Sequence, residues 1–260
     1  MAKVQKFRAT SRATTKQANK SSLSDRVTLA DEVADQLRAD IVNGRLKPSE
    51  RLRFEDLTKR YAVSVSPLRE ALSQLTAEKL VQPDAQRGYR VAEVSLSDLV
   101  DILESQKSLE AMALRMSISD GDDVWEAQML AAHHRLTLLD ARRGKEPGEK
   151  WAQDWEKRHR EYHQALIAGC QLSWVLRFCG QLREHLDRYR SFADVPPSRF
   201  SKVAMQHGPI VEAALARDAD RACNLLYQHY DTAAKIILEA MKKSDAVLKQ
   251  EARNVRAVLT

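Results

Sequence analysis

The 260-residue chain has no run of about 18 apolar residues, so a membrane-spanning helix is not expected. Its N-terminus lacks the apolar core of an export signal, and the expected compartment is the cytoplasm. Cysteine is scarce. Cys170, Cys179 and Cys223 are odd in number and widely spaced in helical patterns, which fits reduced, buried thiols and excludes a disulfide frame or a cysteine metal site. Acid is missing altogether from residues 1 to 24, where Lys3, Lys6, Arg8, Arg12, Lys16 and Lys20 stand alone. The whole chain carries 42 − 36 = +6, so this stretch accounts for the net charge and the remainder is close to neutral. Low apolar content makes residues 1–24 a disordered basic arm, suited to salt-sensitive phosphate contacts or simply to solubility.

What is present first is a small reading head over residues 25–94. Leu29, Val33, Leu37 and Ile41 form a helical stripe that stops at Asn43-Gly44, where glycine can take the left-handed cap. Phe54, Leu57 and Tyr61 mark a short second helix, and Ala62 to Ser64 make a tight turn. In the string SVSPLREALSQL, Ser66 is placed to cap a third helix, with Pro67 at its first position. Leu68, Ala71, Leu72 and Leu75 then form the buried face and leave Arg69, Ser73 and Gln74 outside. That is the grammar of a helix-turn-helix. The following LVQPDAQRGYRVAEV alternates in the manner of a two-stranded wing, with Arg87, Gly88 and Arg90 at its tip.

From Ser95 onward the texture is helical, with helices expected near 97–118, 123–143, 149–169, 173–192, 199–217 and 219–242 and a frayed tail over 243–260. The fold class is therefore mainly α: a winged helix-turn-helix followed by an all-α bundle of six or seven helices over 95–242. Four histidines sit on apolar stripes. His159 and His163 are one turn apart beside Leu166, Ile167 and Cys170; His207 goes with Val203 and Ile210, and His229 with Leu225 and Leu226. Converging imidazoles are costly to bury unless something binds them, and a shared divalent transition metal is the economical partner: zinc first, with nickel, iron or manganese as alternatives. His133, His134 and His185 show no such convergence and read as surface or packing residues.

The order winged helix then bundle, with the strings VSVSPLREALSQLTAEKLV, GYRVAEVS, HREYHQALIAGC and QHY, resembles the GntR superfamily of transcription regulators. Within it, the match is to the FadR-type branch with a C-terminal FCD domain, over roughly residues 27–241, and nearest in look to glutarate-responsive carbon-starvation regulators. The resemblance implies a homodimer on an inverted-repeat operator, and a small carboxylate effector bound in the bundle through a metal held by an Asp and three histidines. His159 stands where the family has that Asp, and Gln106 where it commonly has an effector-binding arginine, with Lys107 beside it. Arg190 is the remaining candidate to pair an anionic ligand. In the head, Val65 and Glu55 replace family arginines. Ser64, Ser66 and Arg69 remain matched positions for DNA contact, with Arg51 and Arg53 as additional phosphate contacts.

Two functions follow from different classes. One is a ligand-responsive DNA-binding regulator, a repressor of a catabolic operon, associated with the nucleoid when bound. The other is a metal-dependent enzyme with a four-histidine site activating water or dioxygen. The enzyme reading gives the winged helix nothing to do, and Glu161, between the paired histidines, falls on another helical face.

Overall fold

A computed structural model of the chain describes residues 28–84, 88–143, 148–195, 199 and 201–244; the basic arm, Arg87 at the wing tip and the tail beyond 244 lie outside them. The head contains α1 (Leu29–Val42), β1 (Arg51–Leu52), α2 (Phe54–Tyr61), α3 (Val65–Ala77), β2 (Val81–Asp84) and β3 (Gly88–Val91). The bundle contains α4 (Leu96–Asp120), α5 (Asp123–Ala141), α6 (Glu149–Leu166), α7 (Ser173–Phe192), α8 (Ser201–Ala204), α9 (His207–Leu215) and α10 (Ala219–Ser244).

The head packs one apolar cluster from the stripes read in the sequence. Val33, Leu37 and Ile41 of α1 meet Leu68, Leu72 and Leu75 of α3, with Leu57, Leu80 and Val91 closing the sides. Leu29, expected on that stripe, is exposed at the first turn. Helix α1 opens on a capping box, in which Thr28 and Asp31 satisfy each other's backbone N–H groups. It closes at Asn43 with Gly44 left-handed at φ 72°. The turn between α2 and α3 is made by Ala62, itself left-handed at φ 54°.

Three local expectations are corrected. The N-cap of α3 is Ser64, not Ser66, and Pro67 is third in the helix. Proline is tolerated there because the N–H groups of a first turn have no intrahelical acceptor. The wing sheet has three strands, not two: β1 pairs antiparallel with β3 through Arg51 and Arg90, and β3 pairs with β2. Two residues are too short a run to display the alternation that reveals a strand. Finally, the helix expected over 199–217 is interrupted at Met205-Gln206, giving α8 and α9. Pro209 explains the break, because its ring would strike the carbonyl of Met205 in a continuous helix. His207 thereby becomes the first residue of α9.

A second apolar cluster, from Leu96 to Met241, fills the bundle. Helix α7 joins it to the head. Arg38 of α1 forms a fork on Glu78 at 2.8 and 2.9 Å and reaches Glu184 of α7 at 3.6 Å. His185 bonds the Glu78 carbonyl at 2.9 Å, as a packing residue would. Arg188 donates to the carbonyls of Ala92 and Glu93, and the Tyr189 hydroxyl accepts from the Ser95 N–H at 3.1 Å and donates to Asp98 at 2.6 Å. Buried hydrogen bonds to backbone carbonyls fix the register of the two bodies more firmly than exposed ion pairs would.

Gly44 sits at this junction, and a Cβ on it would lie 2.7 Å from the Ser191 Oγ of α7. Gly44→Ala therefore adds both left-handed strain and a clash, and should cost about 1–2 kcal/mol. The expected readout is a melting temperature lower by several degrees, partly recovered by Ser191→Gly; an unchanged melting temperature would show that the junction yields freely.

Candidate metal centre and nucleic-acid interface

Helical spacing carries His159 and His163 to the inner face of α6, the break before α9 turns His207 inward, and His229 comes from α10. One ring nitrogen from each lies within 4.8 Å of the others, and all four residues are buried. The Nε2 atoms of His159 and His163 stand 3.2 Å apart. Two nitrogens each about 2.0–2.1 Å from one metal stand about 3 Å apart, so the pair has the spacing of neighbouring ligands. His207 Nε2 and His229 Nδ1 are buried without a hydrogen-bond partner among the described residues. Orphaned nitrogens of this kind are costly in an apolar core, and two of them aimed into one cluster fit a metal better than a core satisfied within itself.

Burial pushes the pKa of every ring down. For His159, His207 and His229 the neighbouring imidazoles add to the effect, and the rings are neutral at pH 7. His163 falls to about 4, through burial and the Arg183 guanidinium, against the opposing pull of Glu110. Neutral imidazoles offer the lone pairs that a metal requires.

The sequence reading missed what stands behind this cluster. Glu110 of α4, fully buried, meets His163 Nδ1 at 2.7 Å, fixing the ring so that Nε2 faces the other histidines. Its other oxygen accepts from Arg183 of α7 at 2.6 Å and from the Tyr230 hydroxyl at 2.6 Å. Burial alone would raise the Glu110 carboxyl, but Arg183 and the donors around it outweigh burial and hold it ionised. The available signal was a carboxylate on the apolar stripe of Leu103, Ala113 and Leu114. Arg183 gave the same signal, four residues from Cys179 and three from Leu186 on the inner face of α7.

Gln106 is fully buried, and its amide nitrogen donates to Glu110 and, at 3.2 Å, to Tyr230; its Oε1 has no partner. Arg190 is differently placed. It binds Glu156 and, at 2.7 Å, Asp187, and lies 5.7 Å from the Trp155 ring centre. Trp155 in turn stacks on His159 with centroids 4.6 Å apart. Arg190 therefore stands one ring away from the histidines, with two carboxylates on its charge, and borders a cavity of about 410 Å³ with Trp151, Glu156 and Arg160, whereas Arg183 borders one of about 280 Å³ shared with Glu110, His163, Leu176 and Cys179. The three cysteines are free and buried, as expected.

On the opposite end of the molecule, Ser64, Val65, Ser66 and Arg69 are exposed on α3. Ser64 makes no side-chain cap bond, and Arg69 lies 5.3 Å from the Phe54 ring centre. Arg53 is exposed at the start of α2. Arg51 pairs with Asp84 at 3.4 Å, and Asp84 also takes Arg90 at 3.0 Å. Gly88 adopts φ +113°, which only glycine adopts readily, and brings the β2–β3 hairpin backbone past Leu52.

This pairing of a helix-turn-helix with a histidine-lined bundle matches two family models. Residues 29–91 match the bacterial regulatory proteins of the gntR family, and residues 101–232 match the FCD domain. The chain belongs to the GntR family and carries an FCD domain. It is 41% identical over 210 residues to the HTH-type transcriptional repressor GlaR of Escherichia coli, across 79% of this chain and 94% of that protein. It is 40% identical over 210 residues to the HTH-type transcriptional regulator BphR of Paraburkholderia xenovorans, across 81% and 85%. Among solved structures, E. coli McbR/YncC shares the fold with a TM-score of 0.71 at 18% identity, across 82% and 99%. This GntR-family protein is a ligand-responsive DNA-binding transcription regulator, and the enzyme alternative falls. No helix among the described residues is long and apolar enough to cross a membrane.

Removing Glu110 would leave the Arg183 charge buried opposite Tyr230 alone. Glu110→Ala should therefore destabilise the bundle by about 3–5 kcal/mol, read by thermal or urea denaturation in the presence of chelator. A loss below about 1 kcal/mol would mean that water reaches Arg183 in the folded protein.

Proposed function

We propose that this protein is a cytoplasmic, homodimeric repressor of a catabolic operon, binding an inverted repeat and released or retained by a small carboxylate effector. The observation that carries the effector part of this reading is the set of four buried imidazoles with two orphaned nitrogens. His159, His163, His207 and His229 would hold one divalent transition metal, zinc first. An all-imidazole set suits borderline metals better than the hard ions that favour oxygen ligands. Bound there, the metal supplies a Lewis-acidic anchor for a carboxylate. The protein's own groups do the rest: Glu110 holds the His163 tautomer, and Gln106 Oε1, an acceptor beside Tyr230, is available to a hydroxyl donor of the effector and not to its carboxylate. Arg183 supplies the positive charge nearest the cavity. Arg190, engaged by Glu156 and Asp187, reaches a ligand only by exchanging those partners. The similarity to GlaR, a transcriptional repressor, supports the direction of control.

DNA contact is assigned to Ser64, Ser66 and Arg69 of α3, to Arg51 and Arg53 before α2, and to the wing tip at Arg87 and Gly88. Arg69→Ala should weaken operator binding by about 1–3 kcal/mol if the side chain reads a base, with fold and metal content unchanged. Equal affinity of the two proteins in a gel shift removes Arg69 from the interface.

The metal reading has its own test. Purified protein should carry close to one equivalent of metal per chain by elemental analysis. Chelation should lower the melting temperature by several degrees, since a ligand at a hundredfold its dissociation constant stabilises by about 2.7 kcal/mol. His163→Ala should abolish both effects, and His134→Ala, exposed on α5, should change neither. Metal-free protein indifferent to chelator would leave the histidines as direct partners of an organic acid.

A further inference from the structure

The outward stripe of α3 holds one residue that the regulator's polar contacts do not use. Val65 opens the helix and is 44% exposed. One turn on, at the same azimuth, comes Arg69, and then Ser73, while Leu68, Leu72 and Leu75 face the core. Ser64 and Ser66, on either side of Val65, are exposed. Apart from Leu29 on α1, Val65 is the large apolar side chain most exposed among the described residues of the head. Scattered apolar residues are ordinary on protein surfaces, but this one stands at the end of the helix that enters the major groove in a helix-turn-helix. The major groove presents one apolar group on its base edges, the C5-methyl of thymine.

We infer that Val65 is a specificity-determining residue that packs its isopropyl group against a thymine methyl in each operator half-site. The inference rests on the helix-turn-helix assignment and adds the base and the atom that are read. Ser64 and Ser66 bracket the contact with hydroxyls for phosphate or base edges, and Ser64 is not consumed in capping its own helix. Arg69, held over Phe54, contributes the charged contact one turn away.

The test uses the full-length protein and duplexes selected by it from a random pool. In the selected site each thymine is replaced singly by deoxyuridine, which removes the methyl and keeps the hydrogen-bonding edge. Wild-type protein should lose affinity about three- to fivefold at one thymine per half-site, the scale of one methyl returned to water. Val65→Ala, an exposed change that should leave the melting temperature unaltered, should lose less than twofold at that thymine and respond as wild type elsewhere. Val65→Arg should shift the base selected there towards guanine, whose N7 and O6 match the guanidinium. The proposal is overturned if no thymine shows methyl dependence, or if the dependence persists undiminished in Val65→Ala with no new preference in Val65→Arg. Failure to select any sequence would remove the DNA-reading assignment itself, and this inference with it.

Discussion

Burying an ionised carboxylate in an apolar bundle is costly, and Glu110 at the centre of this one is tolerable only because each of its oxygens is occupied. Arg183, Tyr230 and His163 come from three helices, so the carboxylate fixes α6, α7 and α10 against α4 at one point. The histidine cluster depends on this arrangement. Without the bond from Glu110, His163 would have no fixed tautomer, and its Nε2 would not be committed to facing His159 at 3.2 Å. The tight polar knot and the loosely satisfied imidazoles beside it differ: each Glu110 oxygen has its donors, whereas His207 Nε2 and His229 Nδ1 have no hydrogen-bond partner among the described residues.

Helix α7 gives that knot a mechanical neighbour. Arg183 belongs to the buried network, and within the next six residues Glu184, His185, Arg188 and Tyr189 all touch the head or the linker to it. A helix is stiff over two turns, so a displacement of α7 that relieves or loads the Glu110 network also moves the contacts on Glu78, Ala92 and Glu93. Because the recognition helix packs on α1, and α1 meets α7 through Arg38, the orientation of the reading surface is set by the same helix. This continuity makes α7 a direct physical connection between the Glu110 network and the head, and it uses packed hydrogen bonds in place of a hinge.

Much of this was legible in the residues because burial leaves a periodic trace. The stripes of α1 and α3 follow from which side chains water would reject, the cap at Gly44 from glycine's access to positive φ, and the convergence of four histidines from their places on the apolar stripes of their own helices. What stayed hidden lacked such a trace. β1 is too short to alternate, and the α8–α9 break depends on a single proline inside a plausible helical pattern. Arg183 and Arg190 both stand among apolar residues of one helix, and only the path of α4 decides which of them meets Glu110. Polar partners inside a core are chosen by tertiary contact, so their identity is not local information.

The DNA face shows the same dependence at its rim. Arg51, expected from the sequence as an additional phosphate contact, shares Asp84 with Arg90, and both pairs link strands of the three-stranded wing sheet. Asp84 neutralises part of the charge that would draw the wing to DNA, yet it ties β2 to both β1 and β3. Arg51 is the exposed member of these pairs and Asp84 keeps Arg90, so a phosphate can replace Asp84 on Arg51 without unfolding the wing. The sheet therefore gives up some long-range attraction in exchange for a pre-set shape.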